Sequence, residues 1–321
     1  MKGTMQQKAQ SPLGILPIGA LLRKFAIPAI ISGLVSAVYN ITDQIFIGQI
    51  VGLNGNAATN VAFPISTLLM ALATMLGVGT ASNFNLSLGK NKKDDAKNYM
   101  GTGLAVSVIF GILLMIIVLL LLDPILRVCG AAGDVMPYAH AYTGITAFGF
   151  PFLLFTTANT NLIRADGSPN RAMISTVSGA VLNVGLDALF MLVFGWGITG
   201  AAAATVFSQI VSAILTLTYF FKTKSITLRL SVVRVHRNVL KGIVTLGTGP
   251  FLNQFIMMFV QIIKNNTLTH YGAATEFGTS IPLAVAGVVS KLQMINVTVF
   301  VGLSMGAQPI FGFNYGAGNY G

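Results

Sequence analysis

Of 321 residues, 54% are hydrophobic and only 8% are charged, and the mean hydropathy is +0.77. Soluble domains carry about 25% charged residues, so the composition excludes an ordinary soluble domain and predicts an all-α polytopic membrane protein. The net charge of +11 does not indicate nucleic acid, because the basic residues lie between apolar segments, and the single cysteine, Cys129, excludes an intrachain disulfide.

The polar first twelve residues do not read as a signal peptide. Apolar segments follow at about 25–50, 60–86, 99–122, 136–161, 172–194, 198–221, 242–270 and 278–305. Each reaches the roughly 20 residues that cross a bilayer, which predicts about eight transmembrane helices. Pro28 and Pro250 are placed near segment starts, where proline is tolerated. Gly77, Gly79, Gly101 and Gly103 are spaced for close helix contact.

Segment one carries Asp43 well inside the span. A central Asp costs about 2.5–3.5 kcal/mol on insertion scales, so it needs a compensating role. At helical spacing Ser36, Tyr39, Asn40, Asp43 and Ile47 share one face. A mostly polar face points to a bundle interior or watery cavity. The plainer reading is that Asp43 only pins helix packing.

The loops predict orientation. Lys2, Lys8, Arg23 and Lys24 precede segment one, and Lys90, Lys92, Lys93 and Lys97 follow segment two. Arg164 and Arg171 join segments four and five; Lys222, Lys224, Arg229, Arg234, Arg237 and Lys241 join six and seven. Sixteen of nineteen basic residues therefore fall on one side, with Arg127 alone opposite. The positive-inside rule places the N-terminus and the 222–241 loop in the cytoplasm. Within that loop Ser231–His236 reads as a short amphipathic piece.

A weak internal repeat crosses the same loop. Pro28 pairs with Pro250, and Gly79 and Gly89 pair with Gly306 and Gly316. Segments seven and eight then restart segments one and two, a pattern of alternating-access transporters. The expected organisation is a six-helix lobe (1–221), a cytoplasmic loop (222–241) and the first two helices of a second lobe (242–321). On this reading the chain is a C-terminally truncated fragment.

Only Asp43 and Asp187 lie deep within segments; Asp94, Asp95 and Asp166 are placed in loops, Asp123 and Asp134 at the outer edge, and Glu276 near an outer boundary. Asn183 is one turn before Asp187 on the same face, and segment six offers Thr205 and Gln209. Two acids with an amide and a hydroxyl form an oxygen-rich site suited to H⁺ or Na⁺. Asp187 also has a plain reading, a packing hydrogen bond. No Walker A, GxSxG or HExxH motif and no metal-ligand cluster appears, so neither ATP-driven transport nor hydrolysis is supported. No organic cofactor is expected. His140, His236 and His270 read as interfacial side chains. Lys291 either faces a central cavity, or snorkels or pairs with a polar group. Tyr39, Asn40, Tyr142, Gln209 and Lys291 are the candidates for the cavity and its substrate contacts.

PAIISGLVSAVYNITDQIFIGQ at 28–49, GVGTASNFNLSLGKNKKDDA at 77–96 and IRADGSPNRAM at 163–173 carry a family resemblance, together with LNVGLDALFMLVFGWGITGAAAATVFSQ at 182–209 and GLSMGAQPIFGFNYGAGNYG at 302–321. The chain resembles the multidrug and toxic compound extrusion (MATE) family of cation antiporters, bacterial type. The resemblance implies twelve helices in two six-helix lobes around a V-shaped cavity, of which this chain supplies the first lobe and two more helices. It implies a non-enzymatic, multi-pass cell-membrane exporter of amphipathic or cationic drugs. It further implies a cation site at Asp43, Asn183, Asp187 and Thr205. Segment seven has no acid between Phe251 and Ile263, which resembles members with the site in the N-terminal lobe. Two other readings compete. A lipid-linked oligosaccharide flippase of the wider superfamily rests on Lys291 alone. An intramembrane aspartyl protease needs a Gly-x-Gly-Asp context, which Gly185-Leu186-Asp187 does not provide.

Overall fold

The computed structural model describes residues 13, 16–131, 133, 135–221, 223, 233–272, 275 and 280–319; at 265, 266, 269, 270, 280–288, 290–292 and 294 only the backbone is described. The described residues form helices α1 (Ile18–Ile50), α2 (Leu53–Gly89), α3 (Lys93–Leu120), α4 (Leu122–Val128), α5 (Val135–Ala147) and α6 (Phe150–Ala165). Then come α7 (Pro169–Asp187), a π-helical turn (Ala188–Val193), α8 (Gly197–Phe220), α9 (Arg237–Gly272) and α10 (Ser280–Ala317). No strand occurs among the described residues. Among the described residues, seven helices, or eight counting a bent pair, are long and apolar enough to span a membrane.

Several boundaries differ from the sequence reading. The expected fourth segment is two helices, α5 and α6, bent by 56° at Phe148–Gly149. Hydropathy does not register the break because both halves are apolar. The eighth segment runs on to Ala317. Pro28 and Pro250 lie inside α1 and α9, not near their starts. In α1 the preceding turns, with Arg23 and Lys24, are already helical, and basic side chains at a helix end can remain in the polar headgroup layer. Val233–His236 are irregular, and α9 begins at Arg237, inside the expected loop. Residues 222, 224–232, Asp134 and Glu276 lie outside the described residues.

Short turns reverse the chain between long helices. After α1, the Gly52 N–H reaches back to the Ile47 carbonyl at 3.2 Å with φ +84°, a geometry that favours glycine. The Arg164–Gly167–Pro169 turn works the same way. Gly167 has φ +80°, its N–H donates to the Arg164 carbonyl at 2.9 Å, and Pro169 opens α7.

α2 is central, packing on α3, α5, α6, α9 and α10. It can do so because small residues line its buried faces, among them Ala58, Ala62, Ala71, Ala73, Gly77 and Ala81. One apolar core joins α2, α3, α5 and α6 through Leu76, Val118, Ala139 and Leu154; a second joins α2, α3, α6 and α8 through Phe84, Met100, Leu162 and Phe220.

The two parts of the proposed repeat pair crosswise: α1 lies on α10, α2 on α9, and α2 on α10. Glycines let the backbones touch. A Cβ at Gly79 would collide with the Ile243 carbonyl, one at Gly247 would lie 2.8 Å from the Met75 carbonyl carbon, and one at Gly306 2.6 Å from Ala26 Cα. Gly89 sits directly against Gly316. Thus positions the repeat makes equivalent meet across the α2–α10 contact. Polar bonds follow the same seam: Asn83 Nδ2 donates to the Gly242 carbonyl at 3.0 Å, and Gln308 Nε2 to Ser82 Oγ at 3.0 Å.

Arg164, expected in a loop, is instead a buried side chain on this seam. It is 7% exposed, and its guanidinium bonds Asn161 Oδ1 at 3.1 Å and approaches Met305 Sδ at 3.8 Å. α6 extends one turn further than hydropathy indicates, which carries Arg164 into the packed region.

Candidate functional site

The two deep acids come from different helices of the same bundle. α1 packs on α7, and α7 on α8. Asn183 and Asp187 lie one turn apart on α7, and both are buried, at 2% and 0% exposure. In the amide orientation that satisfies both ends, Asn183 Nδ2 donates to Asp187 Oδ2 at 3.2 Å, and its Oδ1 accepts the Thr205 backbone N–H at 3.3 Å. Asp43, half-buried on α1, lies within coulombic range of Asp187. Tyr142 on α5 lies beside the Thr205 side chain and within coulombic range of both acids. Asp43, Asn183, Asp187, Thr205, Tyr39 and Tyr142 therefore share one neighbourhood.

Asp187 Oδ1 is buried with no hydrogen bond among the described residues. A buried carboxylate oxygen normally has a partner. The local set of carboxylate, amide and hydroxyl oxygens is hard and fits Na⁺ or a proton. It does not fit a transition metal. No group of three His, Cys, Asp or Glu side chains occurs among the described residues.

An apolar wall closes one end of this polar cluster. Ile47 follows Asp43 by one turn, Met191 follows Asp187 by one turn, and Ala201 precedes Thr205 by one turn. All three are buried, at 0%, 2% and 0% exposure, and pack together with Phe46, Ile50 and Tyr142 against them. This arrangement keeps the acids in a dry environment on that side, where electrostatic interactions are strong.

Residues 28–189 match the MatE family. The chain belongs to the MatE family. It is 24% identical over 300 residues to the multidrug export protein MepA of Staphylococcus aureus (strain MSSA476), a match covering 93% of this chain and 65% of MepA. The chain thus spans a little under two thirds of that relative's length. Among solved structures, the ligand-bound MATE multidrug transporter DinF-BH aligns with a TM-score of 0.88 and 33% identity, covering 98% of this chain and 69% of DinF-BH. A MATE in complex with MaD3S aligns with a TM-score of 0.85 at 26% identity, covering 98% and 70%. A MatE membrane transporter fold is therefore established for this chain.

The remaining expected residues fall at varied distances from the cluster. Asn40 is exposed; its Nδ2 donates to the Ser36 carbonyl at 2.7 Å, and its amide contacts Tyr39. Gln209 is half-buried on α8, and its side-chain amide packs against Gly149 at the α5–α6 break, where a Cβ would displace it. Lys291 lies on α10, outside the described side chains, as does His270 on α9. His140 Nε2 is 3.6 Å from Asp123 Oδ1, both exposed.

Sequence reasoning did not single out three features. Thr143, beside Tyr142, is 1% exposed with an unbonded Oγ. The π-helical turn starts immediately after Asp187; such turns recur at functional sites, and nothing in the local composition signals one. Asp166, expected in a loop, is 3% exposed and accepts a hydrogen bond from the Tyr219 hydroxyl at 2.6 Å. The signal for Asp166 is its place inside the Arg-x-x-Gly-x-Pro turn.

Within the π turn, Phe190 stacks on Phe194 at 5.9 Å and on Trp196 at 5.1 Å, both just past the turn. Phe194 and Trp196 are about half exposed, at 50% and 51%. Such rings mark a membrane–water boundary, here at the end of α7 opposite the basic loops.

Proposed function

We propose that this MatE chain serves a secondary antiporter exporting amphipathic, often cationic, organic compounds in exchange for H⁺ or Na⁺. The N-terminus and the 222–241 loop face the cytoplasm in this reading. The coupling cation is held by Asp43, Asn183, Asp187 and Thr205. The observation that carries the reading is Asp187, a fully buried carboxylate with one unbonded oxygen beside Asp43. A buried acid without a compensating role is costly in a membrane. The multidrug relative and the ligand-bound DinF-BH structure support the cargo class.

The mechanism follows from charge. Two carboxylates in a dry pocket repel, and a bound proton or Na⁺ relieves the repulsion. α1 is the element able to respond. Pro28 removes one backbone hydrogen bond inside it, and Ser32 Oγ donates to the Pro28 carbonyl at 2.7 Å. A shift of α1 moves Tyr39 and Asn40, the cavity-wall candidates, together with Asp43. Cation and drug then compete through helix position, and the linkage is reciprocal.

The affinity for tetraphenylphosphonium, an amphipathic organic cation, tests this. It is measured for the chain in lipid nanodiscs with and without Na⁺ and at pH 5 and 8. Either coupling cation should weaken tetraphenylphosphonium binding by about 5–150-fold, the range of typical coupling energies. Asp43→Asn should abolish that dependence. An affinity indifferent to both cations in the unmodified chain, or an unchanged dependence in the variant, would refute the reading.

A further inference from the structure

A cavity of about 420 Å³ lies away from Asp43 and Asp187, beside the first turns of α1 and α7 and the last turns of α8, on the side of the basic loops. Lys24 of α1 and Arg171 of α7 both line it, with Ser168, Asn170, Ile174 and Leu215 among the other walls. None of the described residues that line it is acidic. Among the described residues neither Lys24 nor Arg171 has an ion pair. Two cations thus converge on one concave site with no paired carboxylate among the described residues. The nearest carboxylate in sequence, Asp166, is buried behind Tyr219, whose hydroxyl is also hydrogen-bonded to Ser168 Oγ at 3.0 Å.

The surroundings identify the ligand chemistry. The cavity continues onto an apolar face that points away from the bundle. Ile174 is 47% exposed, and Val181, two turns further along α7, is 63% exposed. On α1, Ile27 and Ile31 are exposed one turn apart. A ligand matching both parts has a compact anionic head and long apolar tails. A soluble anion would leave the apolar face unused. Basic residues at the membrane surface attract anionic lipids.

We propose that this cavity is a binding site for the phosphate headgroup of an anionic phospholipid in the leaflet on the basic side. Lys24 and Arg171 hold the phosphate, and the acyl chains lie along Ile174 and Val181. The site is independent of the cation cluster.

Native mass spectrometry of the detergent-solubilised chain, supplied with equimolar phosphatidylglycerol and phosphatidylcholine, tests the assignment. The unmodified chain should retain phosphatidylglycerol preferentially. Lys24→Gln with Arg171→Gln should lower that preference by about 30-fold, the factor two basic residues supply at an anionic surface. Arg127→Gln, an equal loss of charge per residue on the opposite side, should leave it unchanged. Equal retention of both lipids by the unmodified chain overturns the proposal without recourse to any variant. So does an Arg127→Gln effect as large as that of the double variant. Competition by millimolar inorganic phosphate as strong as that by phosphatidylglycerol would reassign the cavity to a soluble phosphorylated ligand and refute the lipid.

Discussion

Asp187→Asn should make the cation-free protein more stable while removing its response to cations. The wild-type side chain is 0% exposed. Burying a carboxylate costs several kcal/mol after relaxation. One hydrogen bond, from Asn183 at 3.2 Å, returns about 1.5–3 kcal/mol, and Asp43 nearby adds repulsion. The neutral isostere keeps the shape and can still accept from Asn183. The expected net gain is about 1–3 kcal/mol without Na⁺ at high pH, equivalent to several degrees in Tm. In the wild type, Na⁺ at one hundred times its Kd would restore about 2.7 kcal/mol; the variant should show no such rise. Thermal unfolding in detergent, with and without Na⁺ and from pH 8 to pH 5, reads both effects. A variant less stable than wild type at pH 8 without Na⁺, with an unchanged cation response, would refute the argument. It would leave Asp187 as a packing residue.

In a double-mutant cycle, Asp43→Asn and Asp187→Asn should be non-additive in tetraphenylphosphonium affinity by about 0.5–3 kcal/mol, as for residues in one network; simple addition in isothermal titration would separate the two acids. Gly306→Val should push α10 from α1, because even its Cβ falls 2.6 Å from Ala26 Cα. The cost is about 1–3 kcal/mol of overpacking, seen as a lower Tm and a longer spin-label distance across the seam. Tyr219→Phe removes the 2.6 Å bond to buried Asp166 and should cost about 1.5–3 kcal/mol in a denaturation curve. With Cys129 replaced by Ser, a Cys at Arg234 should resist an impermeant reagent in intact cells, since most basic residues lie on that side; ready labelling would reverse the orientation.

Much of this protein is legible in one dimension. Spans follow from composition alone, because a bilayer accepts only backbones that satisfy their own hydrogen bonds. Asp43 and Asp187 stand out for the same reason: an acid amid Ile, Val and Leu has no cheap explanation. The Asn183–Asp187 spacing places the two on one helical face without any coordinates. Tertiary structure decided what depends on neighbours distant in sequence. The 56° break between α5 and α6 is invisible to hydropathy because both halves are equally apolar. The burial of Arg164 and Asp166 depends on Met305 and Tyr219, which are 141 and 53 residues away. The Ile47–Met191–Ala201 wall joins three helices, and no local pattern indicates which aliphatic side chain of each turns inward. The glycines at 79, 247 and 306 are ordinary for a membrane helix until a backbone is found against each. Local chemistry decides which segments enter the membrane, whereas contact between distant segments decides which polar atoms keep a partner there.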